Sequence, residues 1–536
     1  MMRLARILRD YEEAGALNAQ IALWGFVDDH TFLTKAGHVG VVYRLHGRDA
    51  EGLTHDERRV LVHQMEAALR LLDETCRVYQ YVLKAEAPAF VAPPCSRPVG
   101  QEALTRRAEF LNGRRAGLFT VDHYLVLIHE PLTTSSTRAT EHALRAPREA
   151  LRNWLSHGRR CRLVEAELDR AIDTLHYKAK GVEAHLSDLG VERLGKRDAF
   201  LFFRRLLNYD SVRATAAALT YDTHLDYFVA DAPIECHRDH LRVGRHAVKV
   251  LTMKEPPAQT FAHILSDLVA VTGSLIACLE WQRLPADRVR RDIQSRRRHF
   301  FNKRVSLINY VSSETRPEEM LVDDSASAMV RQLGDALTET EVHGHFFGLA
   351  SLSIVLIGTE GRSLDAAAAD AMKVLAAHDG AAFEETYNLL NAWLAVIPGN
   401  GACNLRRLAL LETNLADLSF LFTHDGGEPT SRHLQRPALL AFETPADIPY
   451  WFNLHVDDVG HTLVLGATGS GKSFLLNVLV THLQQYDPVT VVLDLGHSYR
   501  KLAGLLEGGY LELGLGQQGV TINPFDLSSP TPEDLH

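Results

Sequence analysis

Eight residues, Gly466-Ala467-Thr468-Gly469-Ser470-Gly471-Lys472-Ser473, have the types and spacing of a loop that holds phosphate, G-x-x-x-x-G-K-[ST]. Gly469 and Gly471 let the backbone turn tightly, so that its N–H groups point at phosphate oxygens. A helix opening near Lys472 adds the positive end of its dipole. Lys472 supplies a mobile cation for the β- and γ-phosphates and is the residue assigned to catalysis. The Ser473 hydroxyl is the expected Mg²⁺ ligand. Gly466 to Phe474 are thus the expected contacts of ATP, with Mg²⁺ as its companion ion.

The flanking sequence must position that loop. His461-Thr-Leu-Val-Leu465 reads as a short apolar strand leading in. Phe474, Leu475, Leu476, Val478, Leu479 and Leu483 form the apolar face of a helix that ends by Asp487-Pro488. Thr490-Val-Val-Leu-Asp494 reads as the next, buried strand, closing a βαβ unit of 34 residues. Asp494 is open to two readings. It could be the carboxylate that holds the Mg²⁺ water shell, or an acid at the edge of the site. Its place 22 residues after Lys472 favours the second, because many P-loop motors take that carboxylate from a later strand.

The longer run from Asp458 through Ser473 resembles the CagE/TrbE/VirB family of conjugation and type IV secretion ATPases. So do Asp494-Leu-Gly-His-Ser-Tyr499, the Gly508-Gly509-Tyr510 turn and Ile522-Asn523-Pro524-Phe525. Leu394-Ala-Val-Ile-Pro-Gly-Asn400, Pro449-Tyr-Trp-Phe-Asn-Leu-His455 and the early Trp24-Gly-Phe segment are similar to the same family. The resemblance covers nearly the whole chain, most strongly after about residue 340. It implies a RecA-like motor domain, a hexameric homo-oligomer and channel-protein partners at the inner membrane. The implied location is cytoplasmic, peripherally associated with that membrane. Family members continue past the Asn-Pro-Phe segment with a Walker B acid and an arginine finger. This sequence stops at His536, so the expectation is a C-terminally truncated ATPase, weakly active or inactive alone. A DNA-translocating motor of the same apparatus and a non-hydrolytic nucleotide-binding scaffold are the alternatives.

Upstream, Val39 to Leu45 reads as a strand and Thr54-x-x-Glu57 as a capping box. The box opens a helix with Val60, Leu61, Met65, Ala68 and Leu72 on one face. Cys76 to Leu83 and Tyr124 to Ile128 read as strands, with a helix from about Glu102 to Asn112 between them. Ser351 to Ile357 alternates like a strand, a helix follows from about Leu364 to Ala377, and Pro398-Gly399-Asn400-Gly401 is a strong turn. The expected fold is α/β. An N-terminal α+β domain (1–135) and a mainly helical middle region with a further α+β element (136–440) precede a partial RecA-like P-loop domain (441–536).

Composition narrows the partners. The 536 residues carry a formal net charge of −10, and residues 445–536 hold ten Asp/Glu against three Lys/Arg. That excess disfavours a general nucleic-acid surface, and no sequence-specific nucleic-acid binding is expected. The exception is Arg283 to Arg304, with nine Arg/Lys against Asp287 and Asp292. It is either a patch for anionic lipid or nucleic acid, or a solvated helix face paired with acidic neighbours. The longest weakly polar stretch, Leu268 to Leu279, is about a dozen residues where a membrane span needs roughly twenty. Six scattered cysteines with no Cys-x-x-Cys pair fit a reducing compartment. Cys236-His237-x-x-His240 and His343/His345 lack a full metal-ligand set and are read as non-metal histidines.

Overall fold

Period-two alternation sorts the apolar side chains of six long strands onto both faces of one sheet. The computed structural model describes residues 16–131, 157–215, 222–304, 324–359 and 361–512. The strands are β1 (Val39–Leu45), β2 (Cys76–Glu86), β3 (Phe119–His129), β4 (His246–Glu255), β5 (Ser274–Arg283) and β6 (Phe347–Gly358). They lie in the spatial order β1-β3-β2-β5-β6-β4, and every neighbouring pair is antiparallel. Shorter strands extend both ends to thirteen. Cys278 of β5 stands opposite Tyr81 on one side and Ser353 on the other.

Even and odd positions go to different cores. Val41, Tyr43, Leu125, Leu127, Leu275, Ala277, Leu352 and Ile354 share one cluster. It also takes side chains from α1 (His55–Arg70), α3 (His157–His185) and α7 (Gly361–Ala376). Val42, Tyr79, Tyr81, Val126, Ile276, Cys278 and Val355 share the other with Phe200, Phe202 and Phe203 of α4 (Lys196–Leu207). Each such side chain, fully buried, contributes about 1.5–3 kcal/mol. Burial on both faces is what fixes this register.

The expected strands and helices of the first 130 residues form, most of them longer than their sequence signals. The Thr54 capping box is present, with Glu57 N–H donating to Thr54 Oγ1 at 3.3 Å and Thr54 N–H to Glu57 Oε2 at 2.8 Å. The buried face of α1 differs by one position: Val62 and Leu69 point inward and Val60 outward. The Pro398–Gly401 turn is pinned through Asn400, which accepts from Ala22 N–H at 2.7 Å and donates to the Gln20 carbonyl at 2.9 Å.

The middle region has more helix than strand among its described residues, yet its strands are long and central. It supplies β4, β5 and β6, and β5 pairs along β2, so residues before 135 and after 240 share one sheet. Strands buried on both faces read as continuous apolar runs, which hides their alternation. Between β5 and β6 the chain leaves the sheet as an arm of two mutually packed helices, α5 (Ala286–Arg304) and α6 (Asp324–Glu341).

Two compact units result, and they do not follow the boundaries at 135 and 440. One comprises residues 1–87, 116–426 and 444–449 and contains the sheet. The other comprises 88–115, 427–443 and 450–536, so it takes α2 (Pro98–Gly113) from between β2 and β3. No described helix is long and apolar enough to cross a membrane.

Candidate nucleotide-binding site

The phosphate-loop sequence lies in the second unit, at the start of α8 (Lys472–Leu483). Gly469 has φ +82° and Gly471 φ +92°, the left-handed backbone that glycine adopts most readily. No heavy atom lies within 4 Å of where a Cβ would stand on either residue, so that side of the loop is open. The helix begins as Leu475 N–H donates to the Gly471 carbonyl at 2.9 Å. Lys472 folds back over the loop, its ammonium donating to the carbonyls of Gly466 at 2.7 Å and Ala467 at 2.8 Å. Ser470 N–H closes the turn onto the Ala467 carbonyl at 3.2 Å.

Gly466, Ala467, Thr468, Gly469, Ser470, Gly471 and Ser473 are all exposed. A mobile cation, an exposed hydroxyl and the first-turn N–H groups of a twelve-residue helix fit an anionic phosphate chain with one oxygen ligand for Mg²⁺. Phe474, expected on the apolar face of the helix, points outward instead and is 76% exposed.

The opposite side of α8 is anchored. Leu479 is buried against Leu439 and Leu440, with Leu475, Leu476, Leu483, Phe442 and Phe452 around them. Gln485 Nε2 donates to the Leu439 carbonyl at 2.9 Å, and Tyr486 Oη to the Pro437 carbonyl at 2.7 Å. Burial lowers the pKa of His482, whose Nδ1 lies 2.8 Å from the Val478 carbonyl, so this ring packs as a neutral group.

α2 covers another flank of α8. A Cβ on Gly100 would stand 3.0 Å from Gln484 Cβ and 2.7 Å from Cys95 Sγ, so the two helices meet through a missing side chain. Gly100→Leu should therefore wedge them apart and destabilise the P-loop unit by about 1–3 kcal/mol, the usual cost of overpacking. Limited proteolysis of the P-loop unit reads this, and unchanged resistance to cleavage would refute the contact. The sequence carried no sign that α2 supports the loop, because the two are hundreds of residues apart.

The expected flanking strands do not form. Residues 461–465 and 490–494 lie outside any strand. Their side chains lie open, with Leu463 80%, Leu465 81%, Val491 82% and Leu493 96% exposed. A parallel strand needs neighbours for its N–H and C=O groups, and neither segment finds one among the described residues. Asp494 is exposed and closes its own turn, accepting from Gly496 N–H at 2.9 Å and Tyr499 N–H at 3.4 Å. The Gly496 backbone bond is the main influence that lowers its pKa. The Ile522–Phe525 signature lies outside the described residues.

The histidine clusters hold no described metal set. His237 and His240 stack at 4.5 Å, and His345 Nδ1 sits 2.7 Å from Glu412. Among the described residues no group of three or more His, Cys, Asp or Glu could hold a metal ion. The described cysteines, Cys76, Cys95, Cys236, Cys278 and Cys403, form no disulfide with one another.

Three family models match in succession along the chain. The N-terminal domain of the type IV secretion system ATPase VirB4/TrbE matches residues 30–136. The CagE, TrbE, VirB family, component of type IV transporter system, matches 299–406, and the TraG P-loop domain matches 454–534. Conjugal transfer protein TrbE of Rhizobium radiobacter is 25% identical over 534 residues, covering 95% of this chain and 62% of its own length. These matches support the TrbE-like type IV secretion ATPase family. Other relatives agree. A probable conjugal transfer protein TrbE of Sinorhizobium fredii is 28% identical over 61% of this chain and 49% of its own. Type IV secretion system protein PtlC of Bordetella pertussis is 25% identical over 78% and 50% respectively. This chain thus spans about half to three fifths of the length of these relatives.

Proposed function

We propose that this chain is the ATP-binding motor subunit of a conjugative or type IV secretion apparatus. It acts as a homo-oligomer, a hexamer by family precedent, on the cytoplasmic side of the inner membrane. Its partners are the channel proteins, and ATP hydrolysis drives channel assembly or substrate transfer. One observation carries the reading: Lys472 is folded over a two-glycine turn at the start of a well-anchored helix, with the loop's outer side open.

In this reading the Lys472 ammonium exchanges its two carbonyl acceptors for β- and γ-phosphate oxygens, and the loop N–H groups hold the rest of the phosphate chain. The Ser473 hydroxyl holds Mg²⁺, which neutralises charge on those oxygens. Attack by water on the γ-phosphate further needs a group that orients the water and a cation opposite the loop. A neighbouring subunit can supply the cation as an arginine.

A specific observation favours a second reading for the 536-residue polypeptide, a nucleotide-bound scaffold. Asp494 is engaged by its own turn, and the segments beside the loop find no strand partner among the described residues. Steady-state phosphate release separates the two. The expected result is tight ATP binding with slow turnover or none. Robust phosphate release that needs Lys472 and disappears in Asp494→Asn would make Asp494 the Mg²⁺-site carboxylate and remove the scaffold reading.

A further inference from the structure

The cations of residues 283–304 have different fates in the fold. The Arg283 guanidinium lies 4.0 Å from the Phe346 ring centre and donates to the Leu72 carbonyl, so it belongs to the sheet's end. Arg290 pairs with Glu341 of α6 at 2.9 Å. Arg297 lies against α6 beside Gly334. Arg288, Arg291, Arg296 and Arg298 are exposed and meet no carboxylate among the described residues. Arg291 and Arg298 donate only to carbonyls of their own helix, those of Asp287 and Gln294. Pairing among the described residues therefore does not account for the charge.

Helical geometry gathers part of it on one face. Val289 and Ile293 are the buried side chains of α5 and face inward. At about 100° per residue, Arg288, Arg291 and Arg298 fall within roughly 80° of one another on the opposite side. Two exposed acids flank that face, Asp287 about 20° beyond Arg298 and Asp292 about 40° beyond Arg288, so the arginines exceed the acids there by one. We infer that the outer face of α5 docks the chain on an anionic phospholipid surface, with Arg288, Arg291 and Arg298 on headgroup phosphates. Charge complementarity selects that occupant. The face is convex, which suits a plane of headgroups, whereas a single nucleic-acid strand is held in a basic groove with stacked aromatics. The inference deepens the reading of a motor at the inner membrane and rests on it.

The test uses the full chain and sedimentation with vesicles of phosphatidylglycerol and phosphatidylcholine, or of phosphatidylcholine alone. The mixed vesicles should carry the chain down at low salt, and the neutral ones should not. Replacing Arg288, Arg291 and Arg298 by Gln should lower the partition coefficient on the order of a hundredfold, at about fivefold per arginine near an anionic surface. The matching Lys triple variant should retain most of the binding, and ATP affinity should match wild type in both. Equal sedimentation with neutral vesicles, or a Gln triple variant that binds like wild type, overturns the proposal. So does duplex DNA that strips the chain from vesicles while binding it more tightly, which would assign the face to nucleic acid. Failure on vesicles with ATP binding intact removes the docking face and leaves the motor reading standing. Failure of wild type to bind ATP counts against the motor itself.

Discussion

Lys472→Ala should weaken ATP·Mg²⁺ binding by roughly ten- to hundredfold, the equivalent of about 1.5–3 kcal/mol for a charge-assisted contact. The ammonium is held by two loop carbonyls and by no carboxylate among the described residues, so its acceptors are easily exchanged. The substitution also frees the carbonyls of Gly466 and Ala467. These are exposed and can bond to water, so the fold of the unit should be little affected. Affinity should fall while the thermal midpoint stays within a degree or two. Titration calorimetry with ATP·Mg²⁺ reads the first and thermal unfolding the second. Wild-type affinity in the variant would mean that the loop does not hold phosphate.

The largest effect on stability should come from Glu280 in β5. Its carboxylate is buried among Arg77, Arg407 and Asn404, with Asn404 Nδ2 at 2.6 Å and Arg407 Nη2 at 3.0 Å. Arg77 is itself buried. Burial alone would lower its pKa, yet Glu130 and Glu280 raise it. Glu280→Ala leaves Arg77 with Glu130 and Gln282 and Arg407 with the Gly401 carbonyl. Removing one partner of a buried ion pair costs about 3–5 kcal/mol, and the remaining partners of Arg77 place this case near the lower end. Urea unfolding followed by the fluorescence of the adjacent Trp281, itself buried, measures it. A loss under about 1 kcal/mol would show that the remaining bonds suffice.

Local signals were the legible ones. The capping box at Thr54, the strand at Val39–Leu45 and the turn at Pro398–Gly401 each depend on residues within a few positions of one another, and each forms. The P-loop belongs with them, because its two glycines, its lysine and the helix after it are contiguous. Less visible were the partners of each element. In sequence, most of β5 reads only as an apolar stretch too short for a membrane. In the fold it is a central strand whose two neighbours come from residues 76–86 and 347–358. The arginine run can be counted in sequence but not interpreted, since only the packing of α5 on α6 shows which cations are paired.

By itself the sequence determined the residue types and glycine turn of the loop, the helix that follows it and the family resemblance, because those depend on residue types at fixed short spacings. Tertiary structure decided that α2 supports the P-loop helix and that residues 76–86 pair with 274–283. It also decided that the segments beside the loop find no strand partner among the described residues. The reason is physical. A short motif carries its own hydrogen-bond partners in its backbone, whereas a strand or a docked helix takes its partners from wherever burial and chain closure bring them.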